Sequence, residues 1–170
     1  YTTECSADPR FRKISTDGKV STVAGNGTGG YVDGPPAVAE FGMPFGLVMD
    51  KLGNAYVSDA IAHRIRKIDP SGYVSTFAGS GPSGHADGPG NSATFYYPEG
   101  LGIDQQGNIF VADVSNKLIR KITPGGVVST VVTGPVPGYI DGKDSIIDGL
   151  LHPVAVCTDN AGNLYVADAT

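Results

Sequence analysis

The side chains able to do chemistry are few and widely spaced. His63, His85 and His152 are the histidines of the 170-residue sequence, and none has a second His or a Cys two or four positions away, the spacing that brings metal ligands together on one element. No metal, cofactor or general base is assigned to them. Asp59, Asp113 and Asp168 invite an acid–base or calcium reading, since carboxylates at loop ends can converge. Each sits in a copy of the same segment, however, and Arg66 and Arg120 follow Asp59 and Asp113 at the same distance. Chemistry needs such a group once; copies point to structure, with Asp and Arg satisfying strand-end amides and tying neighbouring strands. Asp33, Asp87 and Asp141 each precede Gly, which suits a turn or cap and lacks the alternating oxygen ligands of a calcium loop. No catalytic residue is assigned. The run from Gly25 to Gly30 is no phosphate cradle, because no strand-to-helix context surrounds it, and Gly-X-Ser-X-Gly is absent from the sequence.

Cys5 and Cys157 are too few for a disulfide framework and are read as buried or free thiols, with a disulfide between them as the alternative. Asn26-Gly27-Thr28 has the form of an N-glycosylation acceptor in a Gly-rich loop, which points to an extracellular or secreted address. The net charge of -5, with Lys and Arg scattered singly, offers no stripe for a row of phosphates, so nucleic acid is not an expected partner. Membrane insertion is not expected either, as no apolar run approaches about 20 residues.

The positions of these residues are set by a repeat. Arg12-Lys13-Ile14, Arg66-Lys67-Ile68 and Arg120-Lys121-Ile122 recur 54 residues apart, and the block from Asp50 to Asp59 returns from Asp104 and from Asp159. Within the middle period four β-like segments read as Gly100 to Asp104, Ile109 to Asp113, Lys117 to Thr123 and Val127 to Val132. Tight turns join them, with Gly107 and Asn108 expected at positive φ. The copies predict that Tyr56, Phe110 and Tyr165 are equivalent, as are Val57, Val111 and Val166, and that Asn54, Asn108 and Asn163 serve the turns. A longer crossover carries Gly30 to Gly34, Gly84 to Gly88 and Gly138 to Gly142 at the same spacing, followed by segments 37–41 and 92–95 that predict single helical turns capped by the preceding Asp.

Four antiparallel strands and a long crossover, repeated in tandem, is the pattern of propeller blades. Gly162-Asn163-Leu164-Tyr165-Val166-Ala167-Asp168, together with His63 to Ile68 and Val74-Ser75-Thr76-Phe77-Ala78-Gly79, resembles the NHL repeat, and the resemblance covers nearly the whole chain. It implies an all-β propeller, most often of six blades. The units divide approximately as 1–45, 46–99, 100–153 and a partial 154–170, about three blades or half of such a ring. Strand counting places the third and fourth strands of one unit at the start and the first and second of another at the end, so two chains could complete each other.

The function this predicts is a non-catalytic protein-interaction or scaffold module. A structural repeat of an extracellular, glycosylated assembly or filament is the first alternative. The resemblance implies the other, part of a propeller lyase or hydrolase with a metal site in the channel. Expected partners are other protein chains or further blades, including a homo-oligomer.

Overall fold

Residues 1–4, 8–132 and 150–169 are described by the computed structural model; Asp141 and Cys5 lie outside them. The described chain is all-β, in four antiparallel sheets. The first holds β1 (Thr2–Glu4), β2 (Arg10–Ile14) and β3 (Val20–Ala24). The second runs β4 (Pro44–Met49), β5 (Ala55–Asp59), β6 (Arg64–Ile68) and β7 (Val74–Ala78) in sequence order. In the third, β9 (Pro98–Ile103), β10 (Ile109–Asp113), β11 (Leu118–Ile122) and β12 (Val127–Val132) repeat that order, and β8 (Gly88–Pro89), from the crossover, adds to the β12 edge. The fourth pairs β13 (Pro153–Thr158) with β14 (Leu164–Asp168).

The first sheet corrects the strand count. Residues 2–4 pair with β2 as β5 pairs with β6, giving three strands instead of two. The β2 edge that a second chain was expected to extend is therefore already taken by β1.

Turn chemistry explains why the hairpins recur. Asp50 Oδ1 accepts from the Leu52 and Asn54 amides while Asn54 Nδ2 donates to Asp50 Oδ2, and the Asp104/Asn108 and Asp159/Asn163 turns are built the same way. This closes an Asx-type turn that needs one left-handed residue. Gly53, Gly107 and Gly162 fill that role at φ 85°, 82° and 88°; Asn108 does not, contrary to expectation. In segments 35–39 and 89–93 one hydrogen-bonded turn starts at Pro35 and at Pro89. No helix forms there; the single 3-10 turn among the described residues is Val114–Asn116.

Side chains alternate between the faces of each sheet, one toward the preceding sheet and one toward the following. Tyr56, Ile65 and Ala78 of the second sheet meet Val111, Ile109, Ile122 and Val128 of the third around Phe95 and Ala93 of the crossover. Phe11 and Ala24 of the first meet Val57, Ile68 and Val74 of the second around Phe41 and Ala39. The first strands β4, β9 and β13 lie side by side. They come so close that a Cβ on Gly46 would sit 2.3 Å from the Glu99 carbonyl oxygen and one on Gly100 2.5 Å from Ala155 Cα. The expected equivalences hold in register: Tyr56 faces Val48, Phe110 faces Gly102 and Tyr165 faces Cys157 across their first strands.

Candidate functional site

Each repeated Asp ends a strand and turns inward. Asp59 Oδ1 accepts from the Met43 amide at 2.8 Å and the Gly42 amide at 3.0 Å, and Asp59 Oδ2 accepts from Arg66 Nη1 at 3.2 Å. Arg66 is fully buried and also donates to the Glu40 and Val32 carbonyls and, at 2.7 Å, to Asp33 Oδ1. Asp33 in turn accepts from the Thr76 amide and hydroxyl. The third sheet copies the Arg contacts: Arg120 holds Asp113 at 3.0 Å, Asp87 at 2.7 Å and the Thr94 and Ala86 carbonyls, and Asp87 accepts from Thr130, while Asp113 also accepts from the Tyr96 amide and Asn116 Nδ2. Phe41 and Phe95 lie over the two guanidinium groups at 5.3 Å. Asp168 accepts from the Leu151 and His152 amides. Asp33 and Asp87 thus do not cap helical turns; each reaches 33 residues along the chain to an Arg of the next unit.

Electrostatics follow from this placement. Burial pushes the Asp113 carboxyl upward, with Asn116, the Tyr96 amide and Arg120 pulling it back. Burial also opposes ionisation of Asp87, but the Thr130 and Arg120 hydrogen bonds outweigh it and hold its carboxyl below the ordinary value. Asp59 and Asp113 spend their oxygens on structural donors, which leaves little for a metal or a substrate proton. Glu99, on β9, has its carboxyl raised by burial, opposed by the charge of His152.

The histidines do not converge. His63 takes φ 54° and its Nδ1 accepts from the Tyr97 amide at 3.2 Å, with Tyr96 and Tyr97 edge-on to its ring. His85 and His152 are exposed. No cluster of three His, Cys, Asp or Glu side chains suited to a metal occurs among the described residues. Cys157 is an exposed free thiol. Asn26 is half-buried; its Oδ1 accepts from the Thr28 amide while its Nδ2 donates to the Val38 carbonyl.

Among the clefts of the described residues, two lie at different sets of loops. One, of about 590 Å³, lies where the crossover loops and the β5–β6 connection meet, with Gly30, Tyr31, Ile61, Arg64 and Pro82 in its wall. Tyr31 is 63% exposed and its ring covers the Arg64 guanidinium at 4.6 Å. Arg64 donates only to the Ala62 and Ser80 carbonyls, and no carboxylate pairs with it among the described residues. The other, of about 390 Å³, lies among the tight turns, between Leu52, Tyr56, Gln105 and Pro124. Sequence reasoning missed the Tyr31–Arg64 stack. The available signal was partial variation: Arg64 repeats Arg10 but is replaced by Leu118 one unit later, and Tyr31 is replaced by His85 before Tyr139 restores it.

Residues 95–122 match the NHL repeat family. Over 91 residues, 53% of its length, the chain is 40% identical to SUPPRESSOR OF QUENCHING 1, chloroplastic, of Arabidopsis thaliana, and covers 9% of that protein. Over 124 residues, 71% of its length, it is 30% identical to human NHL repeat-containing protein 2 and covers 16% of it. The chain thus spans well under half of these curated relatives. In structure it resembles a Bacteroides thetaiotaomicron protein of unknown function, with TM-score 0.76 and 24% identity over 98% of this chain and 41% of that one.

Proposed function

Because the chain belongs to the NHL-repeat family and folds as β-propeller blades, we propose that it is a protein-interaction module whose recognition surface is the end of the blades formed by the crossover loops. The observation that carries this reading is the contrast between copied and uncopied positions. Asp59/Asp113, Arg66/Arg120 and Asp33/Asp87 are the same residue at the second and third sheets and are consumed by the architecture there. Tyr31 recurs as Tyr139 but gives way to His85 between them, Arg64 recurs as Arg10 but gives way to Leu118, and Ile61 gives way to Ser115; Tyr31 and Ile61 are exposed, Arg64 is half-buried, and the three wall one cleft. An exposed ring stacked on a guanidinium without a carboxylate partner offers an apolar platform beside a positive charge, the pairing of aromatic and Arg residues enriched at interface anchors.

The occupant that fits is a loop or extended segment of a partner protein carrying an acidic side chain next to an apolar one. Selection of a displayed peptide library on the chain tests this. Enriched sequences should contain Asp or Glu beside an apolar residue, and Tyr31→Ala with Arg64→Ala should abolish their binding while circular dichroism stays unchanged. Binders of no common charge, or binders indifferent to both substitutions, would refute the reading.

A further inference from the structure

One pair of equivalent positions differs in all three units. It is Asp8 and Arg10 in the first, Ala62 and Arg64 in the second, and Asn116 and Leu118 in the third. Arg10, Arg64 and Leu118 open β2, β6 and β11. The two guanidinium groups are held alike: Arg10 Nη2 donates to the Asn26 carbonyl and Arg64 Nη2 to the equivalent Ser80 carbonyl, each at 3.4 Å. Both also lie against a crossover glycine at positive φ, Gly27 for Arg10 and Gly81 for Arg64. They differ at Nε. Arg10 Nε donates to Asp8 Oδ1 at 2.8 Å, and that carboxylate rests so closely on Gly27 that a Cβ there would overlap it. Ala62 supplies no such group. Among the described residues Arg64 Nε has no acceptor and no carboxylate pairs with the guanidinium, and the atoms nearest a Cβ on Gly81 all belong to Arg64 itself. The same seat is thus filled from within the chain at Arg10 and left open at Arg64, where the cleft of about 590 Å³ and the Tyr31 ring border it.

We infer, on the proposed reading of this cleft as a recognition surface, that Arg64 Nε and the space over Gly81 form a receptor for an Asp or Glu side chain within a partner protein's segment, and that Ala62 is the residue that keeps it open. Asp8 shows the bound arrangement, with one carboxylate oxygen on Nε and the group against the glycine. The guanidinium is preorganised for it. Bonds from Nη1 and Nη2 to the Ala62 and Ser80 carbonyls and the stack on Tyr31 fix its plane, so little side-chain freedom is lost when the acid arrives. Gly81 is needed because a side chain there would occupy the seat. The exposed Tyr31 ring then offers a face to an apolar residue beside the acid. Glu40 limits the other wall: it lies against Gly30 and accepts from Asn26 Nδ2, so a second acidic group on that side would be repelled. The segment that fits carries one acid next to an apolar residue, not an acidic run.

The probe is the blocked peptide acetyl-Ala-Asp-Phe-Ala-amide, titrated into the full chain while the Nε–Hε resonances of its arginines are followed by NMR. The Arg64 resonance should shift and saturate, and that of Arg10, already occupied, should stay still. The same peptide with Asn for Asp, blocked or with a free terminal carboxylate, should bind about tenfold more weakly or less, the loss of one charge-assisted hydrogen bond. Ala62→Asp copies the first unit and should fill the seat from within: the Arg64 resonance moves toward that of Arg10, and affinity for the Asp peptide falls by about tenfold or more. Ala62→Asn, of the same size without the charge, should weaken binding much less; an equal loss would assign the effect to bulk and count against the inference. Asp8→Ala opens the other seat, and Arg10 should then respond to the peptide. Because Ala62 is buried, Asp8→Ala decides the matter alone if circular dichroism shows that Ala62→Asp has not folded as the parent does. Binding that Arg64→Ala abolishes but Ala62→Asp leaves unchanged would sink this inference and leave the reading of the cleft standing, whereas binding untouched by Arg64→Ala would sink both. Silence of Arg64 throughout the titration, tighter binding of the free terminal carboxylate, or silence of Arg10 after Asp8→Ala would each overturn the inference.

Discussion

Replacing Gly46 by Ala tests how the blades are held together. Gly46 lies on β4 at an ordinary φ, so the added methyl strains no dihedral; its cost comes from the neighbouring sheet. An ideal Cβ there would stand 2.3 Å from the Glu99 carbonyl oxygen and 2.9 Å from the Leu101 nitrogen, both backbone atoms, against ordinary contacts of 3.4–4 Å. The first strand of the third sheet would have to retreat by about 1 Å, and overpacking of this kind costs about 1–3 kcal/mol. Retreat also stretches the bridge in which Ser58 Oγ accepts from the Gly46 amide and donates to the Glu99 carbonyl, a loss of about 1 kcal/mol. Stiffening of the unfolded chain returns roughly 0.4–1 kcal/mol. The net expectation is destabilisation of about 2 kcal/mol, or about 4–8 °C in Tm at this chain length, read by urea and thermal unfolding under circular dichroism. Ala155 provides the control. It is the exposed counterpart of Gly46 and Gly100, and Ala155→Gly should cost no more than about 1 kcal/mol. If Gly46→Ala changes stability by less than about 0.5 kcal/mol, or by no more than Ala155→Gly does, close approach of the first strands is not what demands glycine.

Arg120→Met should destabilise by about 3–5 kcal/mol, since it leaves Asp113 buried without its cation; urea unfolding measures this, and a cost below that of an ordinary surface change would deny the network its structural role. Val111→Ala, at a fully buried junction position, should cost about 1–3 kcal/mol; a neutral result would place Val111 on the surface. The Tyr56 hydroxyl, held by burial and by the charge of Asp50, titrates at about 12 against an ordinary 10.0. Its folded value is raised, so the stability it contributes is complete below pH 10 and is lost as pH rises toward 12. Tyrosinate absorbance and unfolding midpoints across that range measure it, and a Tyr56→Phe variant with the same alkaline loss would refute the assignment.

Strands and turns were legible because their determinants are local. Four β-like segments per period, Asp-X-X-Gly-Asn turns and the equivalence of Tyr56, Phe110 and Tyr165 all follow from residues within a few positions of one another. The middle period lost accuracy only at its edges: the first strand begins at Pro98 instead of Gly100, and the third at Leu118. The crossover was misread where its partners are distant. Asp33 next to Gly34 looks like a cap, yet its carboxylate is claimed by Arg66 and Thr76, 33 and 43 residues away. The constant interval between Asp33 and Arg66, and between Asp87 and Arg120, was present in the sequence, but local turn chemistry offered those aspartates a nearer explanation. Nothing local announced that Gly88 and Pro89 would extend the edge of β12, or that β1 would form from Thr2–Glu4.

Those same long hydrogen bonds explain how a repeat can be both rigid and free to vary. Each of the two described crossovers is fastened to the next sheet by one buried guanidinium that binds its Asp and two of its carbonyls, and by backbone hydrogen bonds of its own. Crossover side chains that point away from Ala39, Phe41, Ala93 and Phe95 answer to little packing demand. Tyr31 and His85 stand two residues before Asp33 and Asp87, just outside the fastened stretch, and both are exposed. Arg64 and Leu118 open the third strands just beyond the connection. A surface of this kind can change its chemistry unit by unit at little cost in stability. On the proposed reading its variable residues face the partner, while its copied residues fix how the blades stand.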